Sequence, residues 1–569
     1  MCGINKLGEN MKAQMLFFLL AMVSLSLFAD GVQPNGMGTE TNPYQIEILD
    51  NLLWISTNSS SWVPDSYFIQ TANIDASDTQ NWNDGEGFSP IGWGGDRFRG
   101  NYNGQNYIID GLFINRPEVD QQGLFGFVEY GTIENLGLEN SNITGNSYSA
   151  GVIGWISDSI MNNCYNTGTI QGIWYIGGLA GYCYCSEISN SYNSGNISGE
   201  WYVGGIFGAD TEYHSTISDS YNSGTIQGDK LVGGLIGLAG DASITNCYNT
   251  GDVVGSYEYT GGLLGSYSDM NSYLEYCYNT GSVTGNYYVG GIIGSVTNRC
   301  NIFSCYSTGN VQGNIDVGGF YGKTYNNVIT KNCYSTSNVS GVDEVGGFAG
   351  LNTCLIENSY STGSISGSTF TGGFVGSNWE SAENFTLNCF WDMETSGQQG
   401  SVEGTGKTTN EMKDIATYTS LETDGLEVAW DFIDNPFDDI GTEDFWDIDS
   451  ETNNEYPYLI NSSSVGNDDE NDVAVSLSKS SIKNYPNPFN PTTTIQFELT
   501  SNNQASIEIF NIKGQKIVTL GNKFYNKGLN SVIWNGKNKL NQTISSGVYY
   551  YKLKVDGKFQ QIGKCLLLK

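Results

Sequence analysis

The chain has 569 residues, of which 74 are glycine, 10 proline and one histidine, with 15% charged and 13% aromatic side chains and a formal net charge of −36. The single histidine, His214, removes Ser-His-Asp and Cys-His catalysis and any multi-histidine zinc site. From residue 474 onward there are 13 lysines against 3 acids, leaving 11 cations against 57 acids before it, a net −46 that argues against a nucleic-acid partner for the main body.

At the N terminus, Met11-Lys12 and the apolar run 15–23 read as a secretory signal over residues 1–29, with cleavage after Ala29 and translation starting at Met1 or Met11. No second apolar run is long enough to span a bilayer, so no transmembrane segment is expected. The protein is expected to be secreted or held at the outer cell surface. Residues 30–119 read as an N-terminal capping region.

Residues 120–392 repeat. A glycine doublet, two apolar residues and a glycine recur every 26 to 29 residues, as in Gly177-Gly178-Leu179-Ala180-Gly181 and Gly204-Gly205-Ile206-Phe207-Gly208. Two columns keep the same register. One is apolar-x-Asn-Cys/Ser-Tyr, as at Ile188 to Tyr192; the other is Gly-x-Ile/Val-x-Gly, as at Gly195 to Gly199. Pieces of three to five residues with apolar positions two apart and glycine at the corners predict a parallel β-solenoid of about ten coils and roughly triangular section. The corner glycines are expected to be there because glycine tolerates positive φ. Cys164, Cys247, Cys277, Cys305, Cys333 and Cys389 share a column with Ser191, Ser220 and Ser359, which predicts a small residue stacked inside the coil. Bridges between adjacent coils, such as Cys277 with Cys305, are the alternative.

Residues 393–460 read as a C-terminal cap with short helical turns near 410–420. Residues 447–453 alternate oxygen ligands but lack the glycine of a calcium loop, so neither metal nor cofactor is expected. An acidic linker, 461–476, precedes a lysine-rich tail, 477–569, whose alternating segments 492–499, 505–511, 530–534, 547–555 and 559–568 predict a small antiparallel immunoglobulin-like sandwich. The fold class is therefore all-β, a solenoid followed by a sandwich.

The three repeat columns resemble the GLUG repeat of bacterial surface and secreted proteins, which implies an elongated extracellular solenoid of adhesin-like type. The tail carries Tyr485-Pro486-Asn487-Pro488-Phe489, Trp534-Asn535-Gly536-Lys537 and Ser546-Gly547-Val548-Tyr549. It resembles the type A C-terminal sorting domain of the type IX secretion system, with Tyr485, Pro486, Asn487, Pro488, Phe489, Gly547 and Tyr549 as its motif residues. That resemblance implies a Gram-negative host and the type IX translocon as a partner. An immunoglobulin-like surface module that is never cleaved is the alternative.

The residue before each glycine doublet is β-branched and should face inward, so the one before it faces out. The outward column reads Tyr175, Tyr202, Leu231, Tyr259, Tyr288, Asp316, Glu344 and Phe370, flanked by Trp174, Trp201 and Tyr287. Trp174, Tyr175, Trp201, Tyr202, Tyr259, Tyr287 and Tyr288 are the candidate ligand face, suited to stacking on successive sugars or meeting a protein partner. A ladder that only stabilises neighbouring coils is the other reading. For two-carboxylate chemistry the candidates are Asp210 with Glu212, and Asp316 with Asp343 and Glu344, each expected to lie on a solvated acidic surface. The expected role is non-catalytic, an adhesin-like rod binding polysaccharide or a cell-surface partner. A purely structural surface-layer protein and a polysaccharide hydrolase or lyase are the alternatives.

Overall fold

The computed structural model of the chain describes residues 31–210, 215–268, 272–378, 385–433, 445–460, 483–485, 489–499, 502–511, 516–539, 542–555 and 558–568. The expected signal segment, the acidic linker, Glu212, His214, Pro486, Asn487 and Pro488 lie outside the described residues. Two compact units separate at Met1–Ser463 and Ser464–Lys569.

The first unit is a parallel β-solenoid of about twelve turns. One coil shows its construction. After the doublet Gly177-Gly178, strand Ala180–Tyr184 lies in a 10-stranded first sheet, and Glu187–Ser189 with Tyr192–Asn193 in a 24-stranded second sheet. Ile197–Ser198 with Trp201–Gly204 lie in a 17-stranded third sheet. The next doublet then opens the next coil. Successive coils pair in parallel and in register, Ala180 with Phe207, Ile188 with Ile217 and Val203 with Val232. Strands Tyr44–Ile46, Tyr67–Gln70 and Asn101–Asn103 of the N-terminal region join the second sheet ahead of the repeats, which raises the count above the ten coils read from the glycine motif.

The corner glycines work differently from the expectation. No repeat glycine from Gly123 to Gly376 has a positive φ. What they lack is room: a Cβ on Gly205 would stand 2.3 Å from the Gly234 carbonyl oxygen and 2.5 Å from Cγ of Asn222. Asn222 belongs to a buried column that the motif reading missed. The Nδ2 of Asn166 donates to Oδ1 of Asn193, and so on through Asn222 and Asn249 to Asn279, at 2.7–2.8 Å. Each of these amides also brackets the glycine two residues on; Asn166 donates to the Gly168 carbonyl and accepts from its N–H, and Asn222 does the same with Gly224. An amide chain of this kind is stable inside the coil because Asn166 to Asn249 use both donors and both acceptor positions.

Positive φ falls on two other columns. The middle residue of apolar-x-Asn-Cys/Ser-Tyr is left-handed at every coil: Asn135, Asn163, Asn190, Asp219, Asn246, Tyr276, Ser304, Asn332, Asn358 and Asn388, at φ of 48–55°. Asparagine is the side chain that best tolerates this conformation, which accounts for its recurrence there. The Cys/Ser position that follows faces inward as expected. The amide of Cys164 donates to Ser191 Oγ at 3.0 Å, and that of Cys247 to Cys277 Sγ at 3.4 Å, so either atom serves the same bond. All described cysteines are free, and burial pushes the Cys164 thiol up to about 12.

The tyrosine of the same motif points out from the second sheet. Tyr165, Tyr192, Tyr221, Tyr248, Tyr278, Tyr306, Tyr334 and Tyr360 stack at 4.8–5.1 Å with planes within 7° of parallel. The region expected as a C-terminal cap extends the second sheet by Thr405–Lys407, forms helical turns Thr409–Met412 and Ala416–Thr419, and then covers the side of the coil. Tyr418, Trp430, Trp446 and Tyr456 pack over Tyr278 to Tyr360, which are buried, whereas Tyr165 to Tyr248 stay half-exposed.

The second unit holds two antiparallel sheets, Lys483–Tyr485, Thr493–Leu499 and Gly528–Trp534 in one, Asn503–Asn511, Lys516–Tyr525, Gly547–Val555 and Lys558–Leu567 in the other. Strand Lys516–Tyr525 was missing from the sequence reading because its lysines and Gly521 blur the alternation. Phe489 and Tyr549 meet at Trp534, each ring 5.3 Å away, in the core of this unit. Gly547 opens a strand, and Tyr485 pairs with Thr494.

Because Gly205 lacks room for a side chain, Gly205→Ala is expected to lower stability by about 3 kcal/mol, the upper part of the usual overpacking range. Gly400→Ala, where a Cβ would meet nothing within 4 Å, is expected to stay within about 0.5 kcal/mol. Thermal melts of the two variants check this; equal melting temperatures refute it.

Candidate ligand-binding face

The second left-handed column builds the candidate face. Gln121, Tyr148, Tyr175, Tyr202, Leu231, Tyr259, Tyr288, Asp316, Glu344 and Phe370 all sit at φ of 46–64°, from Tyr148 onward two residues before the glycine doublet or its equivalent. This conformation turns the aromatic side chains out of the third sheet, while Ile176, Val203, Val232, Thr260, Val289, Val317 and Val345 point into the core. It costs a non-glycine residue about 1–2 kcal/mol. Stacked aromatic pairs return about 0.5–1.5 kcal/mol each. At Tyr148, Tyr175 and Tyr202 the two effects nearly cancel.

All seven predicted residues reach this face. Tyr148, Tyr175 and Tyr202 stack at 4.9 and 4.6 Å, Trp174 and Trp201 at 5.2 Å with planes 6° apart, and Tyr259 and Tyr288 at 5.0 Å. Tyr287 meets Tyr257 edge-on at 6.0 Å. Lys230 interrupts the series in register with Trp201, its ammonium 5.0 Å from that ring and 2.9 Å from Glu258. Near-parallel planes at coil spacing mean that the rings are offset stacks with their faces turned to one another, so the solvent meets mainly edges and hydroxyls. Trp174, 41% exposed, is different: its register neighbour on the other side is Ser147, and no ring among the described residues covers that face.

The aromatic surface also turns the corner onto the first sheet. Trp155 stacks on Phe127 at 5.0 Å and on Tyr148 at 5.1 Å, and Tyr182 meets Tyr175 edge-on at 5.6 Å. The sequence reading missed Tyr148, Phe127, Trp155 and Tyr182. A signal was present for each: Tyr148 stands two before Ala150-Gly151, and the other three directly follow the last glycine of the motif.

Two of the acidic candidates, Asp210 and Asp316, are not on a solvated surface, whereas Asp343 and Glu344 are half-exposed. Asp210 is fully buried in strand Phe207–Asp210, and Asp316 is 4% exposed. The left-handed backbone lays the short Asp316 side chain against the coil, between Glu344 of the next coil and Lys323. Burial, and then the neighbouring Glu344 carboxylate, push Asp316 up to about 8. Lys323 opposes that rise, and its ammonium lies 3.5 Å from the centre of the Tyr288 ring. Burial pushes Lys323 down, against the pull of Asp316, Glu258 and Glu344.

Residues 483–567 match the secretion system C-terminal sorting domain, and residues 228–254, 285–312 and 344–366 match the GLUG motif. The chain therefore carries GLUG repeats and a type IX sorting tail, and the tail marks a protein exported to the cell surface or secreted. Neither matched model is that of a catalytic domain. Among the described residues no helix is long and apolar enough to cross a membrane. The chain is 39% identical over 143 residues to halomucin of Haloquadratum walsbyi, covering 24% of the chain and 2% of that protein. It is 37% identical over 117 residues to a protein of Evansella cellulosilytica named "Putative Gly-rich membrane protein", covering 19% and 12%. The chain thus spans a small part of both relatives. A crystal structure titled as that of a "putative immunoglobulin A1 protease" from Bacteroides ovatus aligns over 75% of this chain and 94% of its own at 19% identity, with a TM-score of 0.30, too low to support an inference.

The Asp316 environment sets a pH dependence. The folded chain keeps the Asp316 proton to about pH 8, and the unfolded chain releases it near 3.8, so stability falls as pH rises between those values. Asp316→Asn removes this contribution. The fall in melting temperature between pH 5 and pH 8 is expected to be smaller in the variant than in the parent, and identical slopes would contradict the assignment.

Proposed function

We propose that this exported protein is a non-catalytic, adhesin-like rod that binds polysaccharide along the outward face of its third sheet and is delivered by the type IX translocon through its tail. The observation that carries the reading is the contrast between the two left-handed columns. Where the second sheet needs that backbone, seven of ten coils use asparagine, the inexpensive choice. Where the third sheet needs it, five of ten use tyrosine. Asparagine would avoid most of this strain, whereas tyrosine only offsets it by stacking, and strained backbone concentrates at functional surfaces. Halomucin, a relative by sequence over a short stretch, bears a mucin-type name, which agrees with a surface role.

The chemistry follows from the geometry. Ring edges and phenol hydroxyls at coil spacing offer a corrugated surface that meets both the C–H groups and the hydroxyls of an extended glycan. Trp174, with an uncovered face, offers one stacking platform at the end of the Trp174–Trp201 stack.

Depletion of the full-length protein from solution by a panel of insoluble polysaccharides tests the proposal. Saturable binding to one polymer is expected. Tyr202→Ser with Tyr288→Ser, or Trp174→Ala alone, is expected to weaken it about tenfold, since each removes an aromatic contact of about 1 kcal/mol or more. Unchanged binding by these variants, or depletion by no polymer, would return the ladder to a purely structural role.

A further inference from the structure

Three of the four arginines in this acidic chain, Arg97, Arg99 and Arg116, fall between residues 97 and 116; the fourth is Arg299. They flank an irregularity in the N-terminal coils. Ile91 bridges to Phe125 and Phe98 to Val128, both in parallel. The chain therefore takes seven steps where its neighbour takes three, and the surplus loops outward. Gly92, Gly94 and Gly95, at φ of 76°, 76° and 102°, allow the loop to turn away from the ladder. The surplus forms a wall beside the first sheet.

Between that wall and the first sheet lies a cleft of about 420 Å³, within the small end of the usual range for ligand sites. Asp96 and Arg97 come from the loop, Phe127 and Glu129 from the first regular coil, and Trp155 from the next. Gln121, the first member of the left-handed outward column, also lines it. Glu129, 8% exposed, holds both Arg97 and Arg99, the latter at 2.6 Å. The Arg97 guanidinium lies 4.7 Å from the centre of the Phe127 ring, which leaves Trp155 and Tyr184 as the aromatic walls.

The charges balance, Arg97 and Arg99 against Glu129 and Asp96, so the cleft has no net preference for an anion. Glu129 is spent on the two guanidiniums, whereas the Asp96 carboxylate and the Gln121 amide have no hydrogen-bond partner among the described residues. One carboxylate acceptor, one amide that both donates and accepts, and the remaining guanidinium N–H groups beside aromatic walls suit a ligand whose every group both donates and accepts. Vicinal hydroxyls on a ring with an apolar edge have that chemistry. Gln121 and Trp155 join the cleft to the aromatic face, because Gln121 precedes Tyr148 in its column and Trp155 stacks on Tyr148.

We infer that this cleft is a binding subsite for one neutral pyranose unit of the glycan, held by Asp96, Arg97 and Gln121 against Trp155; the inference rests on the polysaccharide reading of the face. The test titrates the full-length protein with soluble cello-, xylo- and manno-oligosaccharides and with an oligogalacturonate, read by calorimetry. Saturable binding of a neutral oligosaccharide is expected. Asp96→Ala and Gln121→Asn are expected to weaken it about tenfold each, the loss of one polar contact. Both lie outside the core, and asparagine suits the left-handed backbone at 121. Trp174→Ala is expected to change it less than about twofold. Binding that is indifferent to Asp96→Ala and Gln121→Asn overturns the subsite, as does binding confined to the galacturonate. If the polymer panel depletes the protein but no oligosaccharide binds, the subsite falls and the face reading stands; if neither occurs, both fall.

Discussion

Close backbone approach at the glycine-doublet corner is the constraint on which the rest of this solenoid depends. Each coil meets the next there with no side chain between, and the space a Cβ would need is held by the neighbouring carbonyl and, in the middle coils, by a buried asparagine amide. That approach keeps the coils in register. Register in turn stacks like on like, isoleucine on isoleucine, cysteine on serine and ring on ring, along each of the three sheets. A single coil could not bury its apolar positions, so the fold is a property of the series.

Register has a cost that the two left-handed columns show. Every coil must bend outward once on the second sheet and once on the third, and each bend places a non-glycine residue at positive φ. On the second sheet the cost is minimised with asparagine. On the third it is met with tyrosine, tryptophan stacking alongside, and the result is an aromatic surface continuous round the corner to Phe127 and Trp155. Where the same column holds Asp316 instead, the bend folds its carboxyl group against the coil, and burial raises its proton affinity.

The outer tyrosine ladder of the second sheet shows the other use of such a surface. Its C-terminal half is covered by Tyr418, Trp430, Trp446 and Tyr456 of the same chain, which turn an exposed stack into a core. The third-sheet face has no such cover among the described residues. Two ladders of similar chemistry thus serve different ends, one closed by the chain itself and one left open.

The period of 26 to 29 residues, three in-register columns and glycine at the corners were enough to read a parallel solenoid from the amino acids alone, because stacked coils impose the same spacing on every repeat. The inward β-branched column and the seven aromatic residues beside it were legible for the same reason, as was the antiparallel tail from its alternation. What only the tertiary structure decided lies where contact is made across coils rather than along the chain. The asparagine ladder, the crowding that makes the doublets glycine, the burial of Asp210 and Asp316, and the wall formed by the loop between Ile91 and Phe98 all depend on a neighbour 25 or more residues away. Local pattern carries the rise of the solenoid, and packing between coils decides what each position is for.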